Sequence, residues 1–176
     1  MLTAEEIIRQ LDLKPLPGEG GFYRETYRSE EKIPTDGLPA RYRSAKSFCT
    51  AIYYLLTPET CSALHRLPSD EIFHFYLGDP VLMLKLHLGG NSELITMGRD
   101  PGRGEKLQVV VPRATWLGAF LNQGGSFALM GTTVAPGFDF SDYDHPSRQE
   151  LIRQYPDRRE LILRLTAAQQ TAPNPD

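Results

Sequence analysis

The chain has 176 residues, a formal net charge of −3, 40% hydrophobic and 23% charged residues. That length is one domain's worth, long enough for a core without disulfide staples, and the composition is that of a globular protein in water. Net acidity, with Lys and Arg scattered and no long run of like charge, excludes general affinity for nucleic acid, and no apolar run approaches membrane-spanning length.

Thr3-Ala-Glu-Glu6 reads as a capping box that opens a short amphipathic helix over 4–12, with Ile7, Ile8 and Leu11 on one stripe. Pro15, Pro17 and Gly18 stop it. Residues 22–28 alternate as a strand, and 29–43, with two Pro and one Gly, form a loop. Short strands then follow at 48–56, 71–77, 81–88, 94–97, 106–111, 116–121 and 127–134, separated by turn residues such as Gly78-Asp-Pro80 and Gly89-Gly-Asn91. In 81–88, Leu82, Leu84, Leu86 and Leu88 share one face, which puts Lys85 and His87 on a solvent side. Strands at this spacing argue for a β-sandwich or barrel. Ser147-x-x-Glu150 and Asp157-x-x-Glu160 each open a further helical segment, with Leu151 and Ile152 in the first and Leu161, Ile162 and Leu165 in the second. The polar, Pro-containing stretch 167–176 reads as a disordered tail after a single domain over 1–166.

Met1-Leu-Thr-Ala-Glu-Glu6 lacks the basic region and apolar core of a signal peptide. Cys49, in an apolar run, and Cys61, beside a turn, make no disulfide framework, so a cytoplasmic location is expected.

Three residues set the most informative spacing. His65, Glu71 and Gly78 fall at the spacing His-x5-Glu-x6-Gly, which resembles the first signature of the cupin superfamily. More specific is a set of segments in order: Glu19-Gly-Gly-Phe-Tyr-Arg-Glu-Thr-Tyr-Arg-Ser29, Thr50–Leu56, His65–His74 and Pro136–Phe140. Together they resemble one branch of single-domain cupins known only as a domain of unknown function, over roughly residues 5–165. The resemblance implies an all-β jelly roll (a double-stranded β-helix) with short terminal helices, a pocket inside the barrel, similarity to nucleotide-sugar epimerases, and a homodimer paired through a sheet.

Departures from the superfamily pattern are informative. Leu67 stands where cupins usually carry a second His, Leu117 where the second signature has its His, Ala114 at a Gly place, and Leu121 at an Asn place. Leucine cannot ligate, so neither a metal nor another cofactor is expected. Strand parity puts His65, Leu67, Glu71, Phe73 and Phe75 toward the barrel and Asp70, Ile72, His74 and Tyr76 outward, unless a bulge re-aims one of them. His65, Glu71 and His74 are the candidate proton-transfer residues; Arg24, Tyr53, Arg66, Phe73 and Phe75 are candidate ligand contacts. A His–carboxylate pair moves protons near neutrality, and Arg holds phosphate or carboxylate. The expected ligand is a small polar metabolite such as a sugar or nucleotide-sugar. The chain is then an epimerase or isomerase, a non-catalytic metabolite sensor or, least in keeping with Leu67 and Leu117, a metal-dependent oxygenase.

Overall fold

The computed structural model describes residues 2–166; the tail expected over 167–176 lies outside them. Helix α1 (Ala4–Gln10) begins with both halves of the capping box: the Glu6 N–H donates to the Thr3 hydroxyl at 3.2 Å, and the Thr3 N–H donates to the Glu6 carboxylate at 2.9 Å. Strands β1 (Lys14–Pro15), β2 (Phe22–Arg28), β3 (Lys32–Ile33), β4 (Lys46–Ser47), β5 (Thr50–Leu56), β6 (Cys61–His65) and β7 (Asp70–Gly78) follow. The chain continues through β8 (Val81–Leu86), β9 (Ser92–Met97), β10 (Gln108–Val111), β11 (Trp116–Leu121) and β12 (Ala128–Ala135), then α2 (Arg148–Gln154) and α3 (Arg159–Leu165).

Two antiparallel sheets make the body. The larger has the order β1-β2-β5-β12-β7-β10 and the smaller β6-β11-β8-β9, so from β5 to β12 the chain changes sheet at every step except β8 to β9, as suits a jelly roll. Between them lies a core that includes Tyr54, Leu56, Phe73, Phe75, Met83, Leu117 and Met130. The smaller sheet is buried on its back as well: Leu64, Leu84, Leu86, Trp116 and Phe120 meet Leu151, Tyr155, Ile162 and Leu165 of α2 and α3. A strand covered on both faces has no reason to alternate, and β11, Trp-Leu-Gly-Ala-Phe-Leu, is buried at all six positions. On the back of the larger sheet, Ile7 of α1 packs with Leu55, Phe127 and Leu129.

Two sequence expectations need correction. Lys85 does not face solvent: it is 7% exposed, because the leucine face of β8 is turned to the helices and Lys85 lies on the inner face. Its amine reaches Glu93 at 3.2 Å and the Val110 carbonyl at 3.5 Å. Asp157 caps nothing, because Pro156 starts a 3-10 turn that takes Asp157 inside it, and α3 begins behind Arg158 with no side-chain cap. Strand β6 was not apparent as a strand, since Ser62, Ala63, Leu64 and His65 are all buried and show no alternation.

Candidate functional site

A bulge in β6 builds the site. Opposite Leu117 and Ala119, two residues apart on β11, stand His65 and Ser62, three apart on β6. The extra residue turns both polar side chains to the barrel face that Leu117 and Ala119 share. Across the barrel, β7 alternates and presents Glu71, Phe73 and Phe75 inward. His65 Nε2 lies 3.6 Å from Glu71 Oε2, an ion-pair rather than a hydrogen-bond distance, and both side chains are nearly inaccessible. The Nδ1 of His65 is 2.8 Å from the Ala63 carbonyl, which fixes a proton on that nitrogen.

A second carboxylate closes in from the loop between β1 and β2. Glu19 accepts a 2.6 Å hydrogen bond from the Ser62 hydroxyl, and its carbonyl accepts the Ala63 N–H at 2.9 Å. Gly20 and Gly21, at φ +95° and +70°, allow this close approach; a Cβ on Gly20 would sit 2.5 Å from the Cys61 carbonyl oxygen. The Tyr54 hydroxyl donates to the Gly20 carbonyl at 2.9 Å, which ties the loop to β5.

Charge and burial oppose each other here. Burial alone pulls the His65 imidazole down, but the charges of Glu19 and Glu71 and the Ala63 carbonyl overcome it, and the ring is pushed up to about 9. Burial raises the Glu19 carboxyl, with Glu71 adding to it and His65 and Ser62 working against it. Tyr54 and Tyr143 are both pushed well up, by burial first and by the nearby Glu19 charge second.

The loop 136–147 roofs this cluster. Tyr143 stacks on His65 with ring centroids 4.7 Å apart and planes 18° apart, and the His145 ring meets Tyr143 at a tilt, also 4.7 Å away. The roof is pinned by Lys46–Asp142 at 2.7 Å, Arg66–Asp144 at 2.7 Å, and the Phe138 N–H on the Thr50 hydroxyl at 2.9 Å. The Tyr143 hydroxyl is buried and has no hydrogen-bond partner among the described residues. Beneath the roof a cavity of about 40 Å³ is lined by Glu19, Tyr54, Glu71, Thr132 and Phe138 among others, room for little more than water.

The residues singled out from sequence fall in three places. His65, Glu71, Phe73 and Phe75 share the barrel interior. His74 faces the opposite side of the sheet, where its Nε2 is 3.2 Å from the Thr133 hydroxyl and its Nδ1 3.2 Å from Gln108 Nε2. Arg24 and Tyr53 are on that outer face too, with the guanidinium 5.6 Å from the ring centroid, and Tyr53 meets Tyr76 edge-on. Arg66 stands at the rim, stacked 4.3 Å over Trp116. Sequence reasoning missed Glu19, Ser62 and Tyr143. A lone carboxylate set among glycines was the one available signal for Glu19; nothing local marked Tyr143.

The donor set does not fit a metal. Leu67 and Leu117 are both buried apolar side chains, and among the described residues no three His, Cys, Asp or Glu side chains converge to hold an ion.

Comparison with known proteins decides the family. The model for the Cupin superfamily (DUF985) matches residues 5–145. The chain belongs to this family. As a cupin it is 33% identical to protein SO0799 of Shewanella oneidensis, with a TM-score of 0.81 and coverage of 94% of this chain and 98% of that one. A hypothetical protein from Leishmania major gives 31% identity, a TM-score of 0.81 and coverage of 93% and 98%. The uncharacterized protein YML079W of Saccharomyces cerevisiae is 30% identical over 133 residues, which span 71% of this cupin and 66% of the yeast protein's own length. Oxalate decarboxylase of Bacillus subtilis shares the fold alone: 15% identity, a TM-score of 0.51, and coverage of 88% of this chain and 38% of that one. Among the described residues no helix is long and apolar enough to cross a membrane.

Proposed function

We propose that this cupin binds a small polar metabolite at the barrel mouth and moves a proton at a carbon beside its carbonyl. That is the chemistry of a metal-free epimerase or isomerase of sugars or nucleotide-sugars. One observation carries the reading: a buried imidazole lies 3.6 Å from the Glu71 carboxylate and also feels the charge of Glu19. As imidazolium, His65 is the acid; its Nδ1–H is engaged by Ala63, so Nε2–H is the proton to give. Glu71 orients the ring and Glu19 supports its charge, and the proton that leaves carbon goes to one of these two carboxylates. The charges of Glu19 and Glu71 favour the imidazolium before the reaction.

The test is incorporation of solvent deuterium into a panel of sugars, sugar phosphates and nucleotide-sugars. The proposal requires exchange with at least one of them and its loss in His65→Gln, with the fold intact by circular dichroism. Exchange that survives in His65→Gln sinks the mechanism.

A second reading, a binding module without turnover, has its own support in Tyr143, whose ring occupies the approach to His65. Ligand-induced thermal stabilisation with no exchange into any bound compound would favour it.

A further inference from the structure

Outside the roof is a much larger space. A cleft of about 620 Å³ is lined by Arg41, Arg43, Arg66 and Arg113, with Ser44 and Ser141 beside them. These arginines arrive from three separate segments: the loop before β4, the end of β6, and the turn between β10 and β11. The acidic residues of the same cleft are already committed, Asp142 to buried Lys46 and Asp144 to Arg66. Arg43 and Arg113 have no side-chain hydrogen bond or ion pair among the described residues, and Arg41 spends only its Nε–H, on the Pro68 carbonyl at 2.9 Å. A protein of net charge −3 has thus gathered three uncompensated guanidiniums around one cavity.

The cleft is also prepared locally. Arg41 lies 4.7 Å over the Tyr42 ring, and Arg66 4.3 Å over Trp116, so two of the guanidiniums are held by aromatic faces. Ala114 takes φ +63° in the turn that carries Arg113, a left-handed conformation that a residue with a Cβ rarely adopts.

We infer that this arginine cleft binds the phosphate end of a phosphorylated small molecule, whose other end is directed at the barrel. A single carboxylate carries one charge and takes one guanidinium fork; arginines converging from three segments suit a tetrahedral group with several acceptor oxygens and more than one charge. Tyr143 links the cleft to the barrel site, since it lines the cleft and stacks on His65. Phosphate also competes with Asp144 for Arg66, which loosens the clasp that holds Tyr143 down. The inference rests on the proton-transfer reading only for what happens at the ligand's far end; binding in the cleft stands apart from it.

The test uses the chain's one tryptophan. Trp116 lies under Arg66, so its emission reports occupancy of the cleft. Inorganic pyrophosphate is titrated into the wild type, Arg43→Ala/Arg113→Ala and His65→Gln, with thermal stability followed in parallel. Both arginines are exposed, so the double variant keeps its fold. The expected result is a saturable response in the wild type that weakens with salt, weakens roughly tenfold or more in the double variant, and is unchanged in His65→Gln. No response by either readout at millimolar pyrophosphate overturns the inference, as does a double variant that titrates like the wild type. Malonate binding as tightly as pyrophosphate overturns the assignment to phosphate. Pyrophosphate binding without deuterium exchange into any sugar, sugar phosphate or nucleotide-sugar leaves the cleft standing and removes the proton-transfer reading.

Discussion

Tyr143 lies flat on His65, ring against ring at 4.7 Å, and thereby seals an imidazole that two carboxylates keep charged. The residue that completes the site comes from a roof loop 78 positions further along the chain, after the last strand. An imidazolium under an aromatic cover is shielded from water, so the charges of Glu19 and Glu71 act on it with little screening.

Stability should fall as pH rises through the range that His65 controls. Its folded value of about 9 exceeds the unfolded value of 6.5, so the folded state holds a proton that the unfolded state releases between them. The contribution is full below pH 6.5 and gone above about 9, on the order of 3 kcal/mol. His145 is shifted down, by burial first and then by the His65 charge, so its effect lies below this window. Urea unfolding at stepped pH values should show a decline that is flattened in His65→Gln; equal slopes in the two proteins refute the assignment.

The Tyr143 hydroxyl is buried without a partner, and a group in that state costs roughly 1–3 kcal/mol. Tyr143→Phe keeps the stack and removes the orphan oxygen. The melting temperature of the ligand-free protein should hold or rise. A drop of several degrees would mean that the hydroxyl is bonded after all.

Gly20 and Gly89 share a φ of +95°, but only Gly20 is crowded, with the Cys61 carbonyl where a Cβ would go and nothing within 4 Å at Gly89. Gly89→Ala should cost about 1 kcal/mol from the backbone alone, and Gly20→Ala clearly more, because backbone must move to admit it. Displacing Gly20 also carries Glu19 away from Ser62, so the His65 imidazole should titrate lower by NMR. Matching losses in the two variants would show that the approach of this loop to β6 is not tight.

Lys46 and Asp142 form a buried pair, with the lysine side chain 2% and the aspartate 10% exposed. Asp142→Ala strands a buried ammonium and should cost roughly 3–5 kcal/mol. The double variant Lys46→Met/Asp142→Leu should regain much of that. Denaturation midpoints for the single and double variants decide it: a double variant as unstable as the single one would show the pair to be needed for the roof's geometry rather than for charge balance.

Much of the frame was legible in residue order. Thr3 and Glu6 announced α1, alternation set the faces of β7, and the His65–Glu71–Gly78 spacing pointed to the jelly roll. These are local signals, each contained in one turn or one strand. Where a strand is covered on both faces, as in β6 and β11, the alternation that marks a strand is absent, and Lys85 was misplaced for the related reason that the apolar face of β8 meets helices rather than the barrel. The composition of the site was a tertiary decision. A bulge put Ser62 and His65 on one face against simple parity, paired glycines let Glu19 press onto β6, and the roof brought Tyr143 over His65. Each depends on contacts between segments far apart in sequence, which no local pattern encodes. Arg41, Arg43, Arg66 and Arg113 look scattered along the chain; only the fold, by bringing three loops to one rim, makes them a single field of positive charge.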